Sequence, residues 1–290
     1  MTPAARPPAS CGTIAQALQA AQACGLSRLD AQRLLLRALG RDLTDRAWLL
    51  GHDTDRVPPE AQAHVDAACV RARDGEPMGY LLGEQTFFGL TLAVDPRVLV
   101  PRPDTETLVE WALALWPPHD QAQVLDMGTG SGAIALALAQ QHPQAAIHAS
   151  DQSADALAVA QGNAESLGLK VQWHQGNWWH AVGDARFDLV VSNPPYIAEG
   201  DAHLPSLRHE PRSALTAGPD GLDDLRAIIA AAPAHLHAGA WLLLEHGFDQ
   251  GPSVAALLRQ AGFTQISHRQ DLADHVRCTG GQWLGTPKGG

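Results

Sequence analysis

The sequence predicts an α/β protein: a doubly wound, mostly parallel seven-stranded sheet preceded by a small N-terminal helical bundle domain. Three observations lead to this prediction. From residue 123 onward, short apolar runs alternate with helical segments, as in a parallel sheet covered by helices. A glycine-rich stretch, residues 128–132, follows the first apolar run, where a strand turns into a helix. Ahead of this region, residues 13–84 show helical spacing.

Composition narrows the class of protein. The 290 residues have 45% apolar side chains, which is typical of a globular protein, and a net charge of −11. The acidic balance argues against a broad nucleic-acid surface, which needs clustered Lys and Arg. Four cysteines, Cys11, Cys24, Cys69 and Cys278, lie far apart without a CxxC motif. We interpret them as reduced thiols of a cytoplasmic protein, and we expect no metal site.

The first residues of the sequence do not resemble a signal peptide. Residues 1–12 contain one Arg, three Pro and no apolar core, unlike a signal peptide. The longest aliphatic run, residues 241–244, is too short to span a membrane. We therefore expect no membrane association, and we expect flexible termini at 1–12 and 285–290.

Residues 13–84 are predicted to form the helical domain. Apolar residues recur at helical spacing in Ile14, Ala17, Leu18 and Ala21. Ser27 is a candidate N-cap with Asp30 in the first turn, a leucine-rich stripe follows, and Gly40 is a candidate stop. Pro59 suits the first turn of a further helix. Since we find no chemical motif here, we predict a role in substrate docking.

The segment that follows is predicted to link the two domains. Glycine breaks and β-rich ends between Tyr80 and Val94 indicate a hairpin, and we place the linker at residues 85–100. The main domain is then expected to span 101–284. It opens with Pro101-Arg102-Pro103-Asp104-Thr105-Glu106 and a helix through Trp116, with Asp104 or Thr105 as its cap.

The main domain should contain five parallel strands and a terminal antiparallel pair. The strands are predicted at 124–126, 146–149, 171–173, 189–191 and 241–244, and the pair within 263–283. Helices are predicted near 133–140, 154–167, 220–231 and 253–260. In such a sheet, ligands bind in the crevice at the carboxyl ends of the strands.

Two features at strand ends suggest a nucleoside-containing ligand. The loop Gly128-Thr129-Gly130-Ser131-Gly132 has GxGxG spacing, so its backbone can pass close to a ligand. Asp151 ends the second strand, where a carboxylate can accept hydrogen bonds from ribose hydroxyls. The alternatives are a tight strand-to-helix turn for the loop and a helix cap for Asp151.

The third feature is Asn193-Pro194-Pro195-Tyr196, which follows the apolar run 187–192. Two prolines fix the backbone and remove two donors, leaving a stiff loop of carbonyl acceptors. Asn193 adds a side-chain amide and Tyr196 a flat ring. These groups suit an exocyclic NH2 on a planar group, whose nitrogen is a poor nucleophile. The alternative is a rigid turn with a capping Asn.

Together the glycine loop, Asp151 and the NPPY tetrapeptide resemble class I S-adenosylmethionine-dependent methyltransferases. NPPY occurs in enzymes that methylate adenine N6 in DNA or glutamine N5 in proteins. Three further motifs, Val100 to Glu106, Arg208-His209-Glu210-Pro211 and Leu244-Glu245-His246-Gly247, resemble the bacterial peptide chain release factor glutamine methyltransferase family. The resemblance extends from about Thr13 to Trp283.

The resemblance implies the cofactor S-adenosyl-L-methionine and a set of residues that bind it. That set is Gly128, Thr129, Gly130, Ser131, Gly132, Asp151, Trp178 and Asn193. Trp178 corresponds to the family residue beside the adenine, with core packing as the alternative. Asn177 departs from an Asp that is frequent in relatives, so its contact with the cofactor is left open.

The resemblance also implies the substrate: the glutamine in the Gly-Gly-Gln loop of class 1 release factors, methylated in support of translation termination. Asn193, Pro194 and Tyr196 are the implied catalytic residues, and these with Pro195 are the implied substrate-binding residues. Arg102 and Glu210 either shape the substrate slot or pair with each other. Leu99-Val100-Pro101 is a candidate apolar wall of the slot.

Three alternative functions follow from the same motifs. A ribosomal-protein glutamine methyltransferase usually has a Ser where this chain has Pro103-Asp104. A DNA adenine methyltransferase needs a target-recognition region and a basic face, and no insertion of that size separates the motifs. A non-catalytic binding module would have lost motif residues. We therefore expect release factors as partners, neither DNA nor membrane, and a monomer.

Overall fold

A computed structural model describes residues 12–117 and 122–285. Contacts divide the chain into two compact units, with the boundary between Gly83 and Glu84. Two termini were expected to be flexible, residues 1–12 and 285–290. Only Gly12 and Gly285 of these are among the described residues, so Cys11 is outside them. No helix in the described ranges is both long and apolar enough to cross a membrane.

The described part of the N-terminal unit is helical, as predicted. Its helices are α1 Ile14–Ala23, α2 Arg28–Ala38, α3 Arg46–Gly51, α4 Pro59–Arg73 and α5 Met78–Leu82. The predicted cap at Ser27 is confirmed, because its hydroxyl accepts the Asp30 backbone N–H at 3.1 Å. α2 ends just before Gly40, whose φ of +66° suits a chain reversal.

The predicted hairpin consists of β1 Glu84–Phe87 and β2 Leu90–Ala93, paired antiparallel. Tyr80, the first residue of the stretch that indicated the hairpin, lies in α5, within the predicted helical domain, and Gly83 follows that helix with φ +73°. The hairpin belongs by its contacts to the second unit, since Phe87 and Leu92 are part of that unit's core. Asn163 also binds both the N–H and the carbonyl of Ala93.

The second unit contains the predicted seven-stranded sheet. The strands are β3 Gln123–Met127, β4 Ala146–Asp151, β5 Gln172–Gln175, β6 Phe187–Ser192, β7 Leu236–Glu245, β8 Thr264–Gln270 and β9 Val276–Trp283. Their order is β5-β4-β3-β6-β7-β9-β8. The strands β3 to β7 are parallel to one another, and β9 pairs antiparallel with both β7 and β8. The doubly wound fold and the terminal antiparallel pair are confirmed.

Helices cover this sheet. They are α6 Glu106–Ala114, α7 Ala133–Gln141, α8 Ala154–Leu167, α9 Asp223–His235 and α10 Gly251–Gln260. One apolar core holds α6 and α7, and a second holds α9 and α10. α9 starts three residues later than predicted, because the Asp220 carboxylate accepts the Leu222 N–H and forms a turn ahead of the helix.

The strand order creates the crevice in which a ligand can bind. β3 lies between β4 and β6. After β3 the chain forms β4 and β5 on one side of it, and then crosses back to form β6 on the other side. Such a switch point opens a crevice at the carboxyl ends of the strands. The loops after β3, β4 and β6 carry the glycine-rich stretch, Asp151 and NPPY, and therefore meet there.

Candidate active site

A cavity of about 300 Å³ occupies this crevice. Its walls come from several loops of the second unit: residues 96–99, Gly128, Gly130, residues 150–153, Asp155, Ala156, residues 176–178, Asn193, Pro195, Pro211, Ser213 and Ala214. Three predicted features separated widely in sequence therefore border one space. A cavity of this size with a few polar groups among apolar walls is typical of a small-molecule site.

Hydrogen bonds to the buried carboxylate of Asp126 stabilise the glycine loop and the start of α7. This buried carboxylate accepts the Thr129 hydroxyl at 2.6 Å and the Ala135 N–H at 3.0 Å through Oδ2. Burial raises the pKa of Asp126 to about 7. The N–H groups of Gly128 and Thr129 both donate to the Ser150 carbonyl at 2.9 Å, which joins the loop to the end of β4. The loop is thus fixed before any ligand arrives.

Glycine at position 128 is favoured by its conformation, and a side chain there would also contact Trp178. Its φ is +76°, and a Cβ there would stand 3.4 Å from the Trp178 ring. Trp178 itself has a φ of +45° and donates its indole N–H to Asp224 at 3.0 Å. Its ring and the loop backbone therefore form two neighbouring walls of the cavity, which supports the interpretation of Trp178 as a ligand-facing residue.

Asp151 borders the cavity with a largely buried carboxylate. Its two oxygens accept the Gly130 N–H and the Ser153 N–H, each at 2.9 Å. α8 is capped by Ser153, whose hydroxyl accepts the Ala156 N–H, so Asp151 is not the helix cap. Burial raises the pKa of Asp151. Each carboxylate oxygen has further lone pairs, so the group fits a ribose diol.

Three predicted cofactor-binding residues of the glycine loop, Thr129, Ser131 and Gly132, contact other parts of the protein. Within the described ranges, Thr129, Ser131 and Gly132 are not among the residues that border the cavity. Thr129 bonds Asp126, and the Ser131 carbonyl accepts from Asn163 at 2.9 Å. A Cβ at Gly132 would stand 3.1 Å from Leu136. These residues shape the loop, while Gly128, Gly130 and Asn177 face the cavity.

The NPPY loop is anchored at both ends. Before it, the Ser192 hydroxyl donates to the Met127 carbonyl at 2.6 Å. After it, the Tyr196 carbonyl accepts from the Gln250 amide at 3.0 Å, and a Cβ at Gly221 would lie 2.2 Å from the same oxygen. Asn193 and Pro195 border the cavity; Pro194 and Tyr196 do not, although all four residues lie in one rigid turn.

Two buried residues behind this loop were not predicted as site residues. The Asn193 amide Nδ2 donates to the Thr105 hydroxyl at 3.2 Å, and the Tyr196 hydroxyl donates to Glu245 at 3.4 Å. Thr105, one of the two expected caps, is the N-cap residue of α6, but its side chain makes no capping hydrogen bond to the helix. Thr105 and Glu245 both lie in motifs quoted above, but nothing in their local sequence indicates these partners.

Arg102 and Glu210 form an ion pair. The buried Glu210 carboxylate also accepts the Val100 N–H at 3.1 Å. It therefore holds the segment that includes Leu99, which borders the cavity beside Pro211. The sequence left open whether Arg102 and Glu210 pair with each other or shape the wall of the slot. In the structure they do both, because the paired Glu210 also binds the backbone of that wall.

The fold and the site define a class of protein. A family model described as "Methyltransferase small domain" matches residues 105–211. The structure is similar to the T. thermophilus 16S rRNA N2 G1207 methyltransferase in complex with AdoMet and guanosine (TM-score 0.53, 24% identity, 69% of this chain and 49% of that one). It is also similar to a methyltransferase from Pyrococcus furiosus (TM-score 0.52, 16% identity, 78% and 98%). The protein is a class I S-adenosylmethionine-dependent methyltransferase.

Sequence relatives identify the particular family. The chain is 50% identical over 260 residues to the release factor glutamine methyltransferase of Bordetella pertussis, covering 89% of this chain and 95% of that one. It is 47% identical to that of Xylella fastidiosa, covering 93% and 98%. A family model described as "PrmC N-terminal domain" matches residues 13–83. The chain belongs to the release factor glutamine methyltransferase family.

Proposed function

We propose that this protein transfers a methyl group from S-adenosylmethionine to N5 of the glutamine in the Gly-Gly-Gln loop of class 1 release factors. One observation supports this most directly. Asn193 borders the cavity while its Nδ2 is bound to Thr105, which leaves Oδ1 to accept from a substrate NH2. The rigid prolines beside it have no backbone N–H, so the turn offers carbonyl acceptors to the same group.

The residues around the cavity fit the cofactor. Asp151 would accept hydrogen bonds from its ribose hydroxyls, and Trp178 would pack beside its adenine. Gly128 and Gly130 would let the loop backbone lie close to it. When bound, S-adenosylmethionine supplies an electrophilic methyl group. Thr129, Ser131 and Gly132 would contribute by fixing the loop.

The role of the NPPY loop is to orient a poor nucleophile. An amide nitrogen has a delocalised lone pair, and it becomes acidic only as it gains the methyl group. Asn193 Oδ1 and the Pro194 carbonyl would accept its two hydrogens, and Tyr196 would pack on the amide plane. Pro195 would keep the turn stiff. No strong general base is needed, because catalysis comes from positioning and from fixed dipoles.

The entrance to the site would favour glutamine flanked by glycines. Glu210 and Arg102 hold the Leu99-Val100-Pro101 wall, so a substrate backbone without side chains can enter a narrow slot beside it. We place the enzyme in the cytoplasm, where translation occurs, and we propose that it acts as a monomer and does not act on DNA.

The substrate assignment predicts a single modification. Incubation with S-adenosylmethionine and a purified, folded release factor should add one methyl group to the peptide that contains Gly-Gly-Gln, as measured by mass spectrometry. A release factor with Gln replaced by Ala in that motif is the matched control and should gain none. Methylation of duplex DNA adenine or of a ribosomal protein, with none on the release factor, would contradict the proposal.

The helical unit is proposed to dock the protein substrate. A protein comprising residues 84–290 should, if its melting transition shows that it folds, still bind S-adenosylmethionine, because every cavity residue lies in the second unit. It should methylate the intact release factor with a much lower kcat/KM. Equal kcat/KM for the shortened and full-length proteins would reject the docking role.

A further inference from the structure

The side-chain amide of Gln250 connects three loops, one of which is the NPPY loop. Its Oε1 accepts the Gly247 N–H at 2.8 Å, in the loop after β7. Its Nε2 donates to the Tyr196 carbonyl at 3.0 Å. The same nitrogen lies 3.4 Å from the carbonyls of Asp220 and Gly221, in the turn before α9. We call this set of contacts the Gln250 junction.

The orientation of this amide follows from its backbone partners. A backbone N–H can only donate and a backbone carbonyl can only accept. The amide oxygen must therefore face Gly247, and the NH2 must face Tyr196. A flipped amide would place its oxygen against three carbonyls and its NH2 against an N–H. Gln250 therefore fits the junction in one orientation only.

Two glycines leave space for the amide. A Cβ at Gly221 would stand 2.2 Å from the Tyr196 carbonyl oxygen and 3.0 Å from Gln250 Nε2. A Cβ at Gly247 would stand 3.1 Å from Gln250 Oε1. The Tyr196 carbonyl is therefore enclosed between a glycine backbone and the amide NH2, and its position depends on both.

The place of Gln250 at the start of α10 does not explain why this residue is a glutamine. Gln250 immediately precedes α10, where Ser, Thr, Asp or Asn commonly caps a helix through its side chain. The Gln250 side chain makes no capping bond to α10. Gln250 is also not among the described residues that border the cavity. Its side chain therefore contributes to the junction, and through the junction to the position of Tyr196.

We infer that Gln250 is a positioning residue for methyl transfer: it holds the Tyr196 backbone so that the tyrosine ring and the Pro194 carbonyl meet the substrate amide. This inference rests on the proposed function, in which both groups contact that amide. Tyr196 is held at a second point by its hydroxyl, which donates to Glu245 at 3.4 Å. Because both ends of the residue are fixed, the ring keeps one tilt before the substrate arrives, as positioning requires.

Single-turnover methyl transfer at saturating cofactor and release factor tests this role. Gln250→Met keeps the size of the side chain and removes the amide. The rate should fall about 10–100-fold, because a misplacement of about 1 Å can cost roughly 10²-fold. Gln250→Glu keeps an acceptor for the Gly247 N–H and loses the donor to Tyr196, so its rate should fall to a similar extent. A wild-type rate in either variant would overturn the inference.

Binding measurements separate positioning from a general disturbance of the site. Calorimetric affinity for S-adenosylmethionine should change little in both variants, because Gln250 does not border the cavity. The rate should therefore fall while the cofactor affinity is kept. A loss of cofactor affinity as large as the loss of rate would show that the whole site is disturbed, and it would overturn the inference.

Gln282 is the matched control, because its amide also joins two partners but lies outside the junction. Its NH2 donates to the Gly239 carbonyl at 2.8 Å, and its oxygen accepts from the Gln265 amide at 2.7 Å. Like Gln250, it is partly buried. Gln282→Met removes an amide of the same kind and should leave the saturated rate unchanged. A loss of rate equal to that of Gln250→Met would contradict a specific role for Gln250.

A second readout does not depend on turnover. The chain contains two tyrosines, Tyr80 and Tyr196, so protein labelled with 3-fluorotyrosine should give two ¹⁹F signals, which Tyr196→Phe assigns. Gln250→Met should shift or broaden the Tyr196 signal alone, and Gln282→Met should change neither signal. An unchanged Tyr196 signal in Gln250→Met would overturn the inference. If the wild type methylates no release factor, the proposed function fails, and this spectrum still decides whether Gln250 positions Tyr196.

Discussion

Asn193→Ala should lower the single-turnover rate of methyl transfer by about 10²–10³ at saturating cofactor and release factor, as is typical when one preorganised hydrogen bond is lost. The substitution removes the acceptor proposed for the substrate NH2. It leaves the loop in place, because Ser192 and the Tyr196 carbonyl anchor its two ends. Since Asn193 borders the cofactor cavity, some loss of cofactor affinity is also expected, and saturation removes that contribution.

The companion substitution Asn193→Asp tests which part of the amide matters. Aspartate keeps an acceptor but adds a charge and cannot donate to Thr105. If Asp retains clearly more activity than Ala, acceptance from the substrate is the main contribution. If both are equally inactive, donation from the Asn193 amide to Thr105 is needed as well. An Asn193→Ala rate near the wild-type rate would show that Asn193 only stabilises the turn.

Asp151→Ala should weaken S-adenosylmethionine binding by about 1–3 kcal/mol, the usual loss when hydrogen bonds to a charged group disappear. The expected loss has two sources. The ribose hydroxyls would lose their acceptor, and the Gly130 N–H would lose the bond that holds the glycine loop. Calorimetric titration measures the affinity, and thermal unfolding measures the stability of the same samples.

Asp151→Asn is the matched variant, because it keeps one oxygen and the size of the side chain. It should bind the cofactor more weakly than the wild type and more tightly than Asp151→Ala. Because Ser153 caps α8, the loss of Asp151 should not unfold that helix. Unchanged affinity together with a lower melting temperature in Asp151→Ala would show that Asp151 supports the fold and does not bind ribose.

Features that depend on neighbouring residues were predictable from the sequence. Ser27 caps α2 because a hydroxyl at that position reaches an N–H three residues away. The alternation of strands and helices predicted the parallel sheet, because each apolar run must be covered on both faces. The terminal antiparallel pair was predicted from short runs within residues 263–283.

Some local interpretations failed because a distant partner competed for the same side chain. Thr105 occupies the expected N-cap position of α6, but its hydroxyl makes no capping bond and accepts from Asn193, 88 residues further along the chain. Tyr80 belongs to the stretch that indicated a hairpin, yet it lies in α5 with its side chain buried, and the first strand begins at Glu84. The hairpin expected to link two domains packs into the core of the second unit, partly through Asn163.

The periodicity of the sequence predicted the fold class, and short motifs, whose residues lie close together in the chain, predicted the chemical type of the site. The family followed from the resemblance of these motifs to those of known methyltransferases. The tertiary structure alone decided which groups meet. It placed Asp126 under the glycine loop, paired Arg102 with Glu210 and brought Glu245 beneath Tyr196. The physical reason is that a buried polar group must find its partner in three dimensions, and sequence spacing contains no information about a partner on another strand.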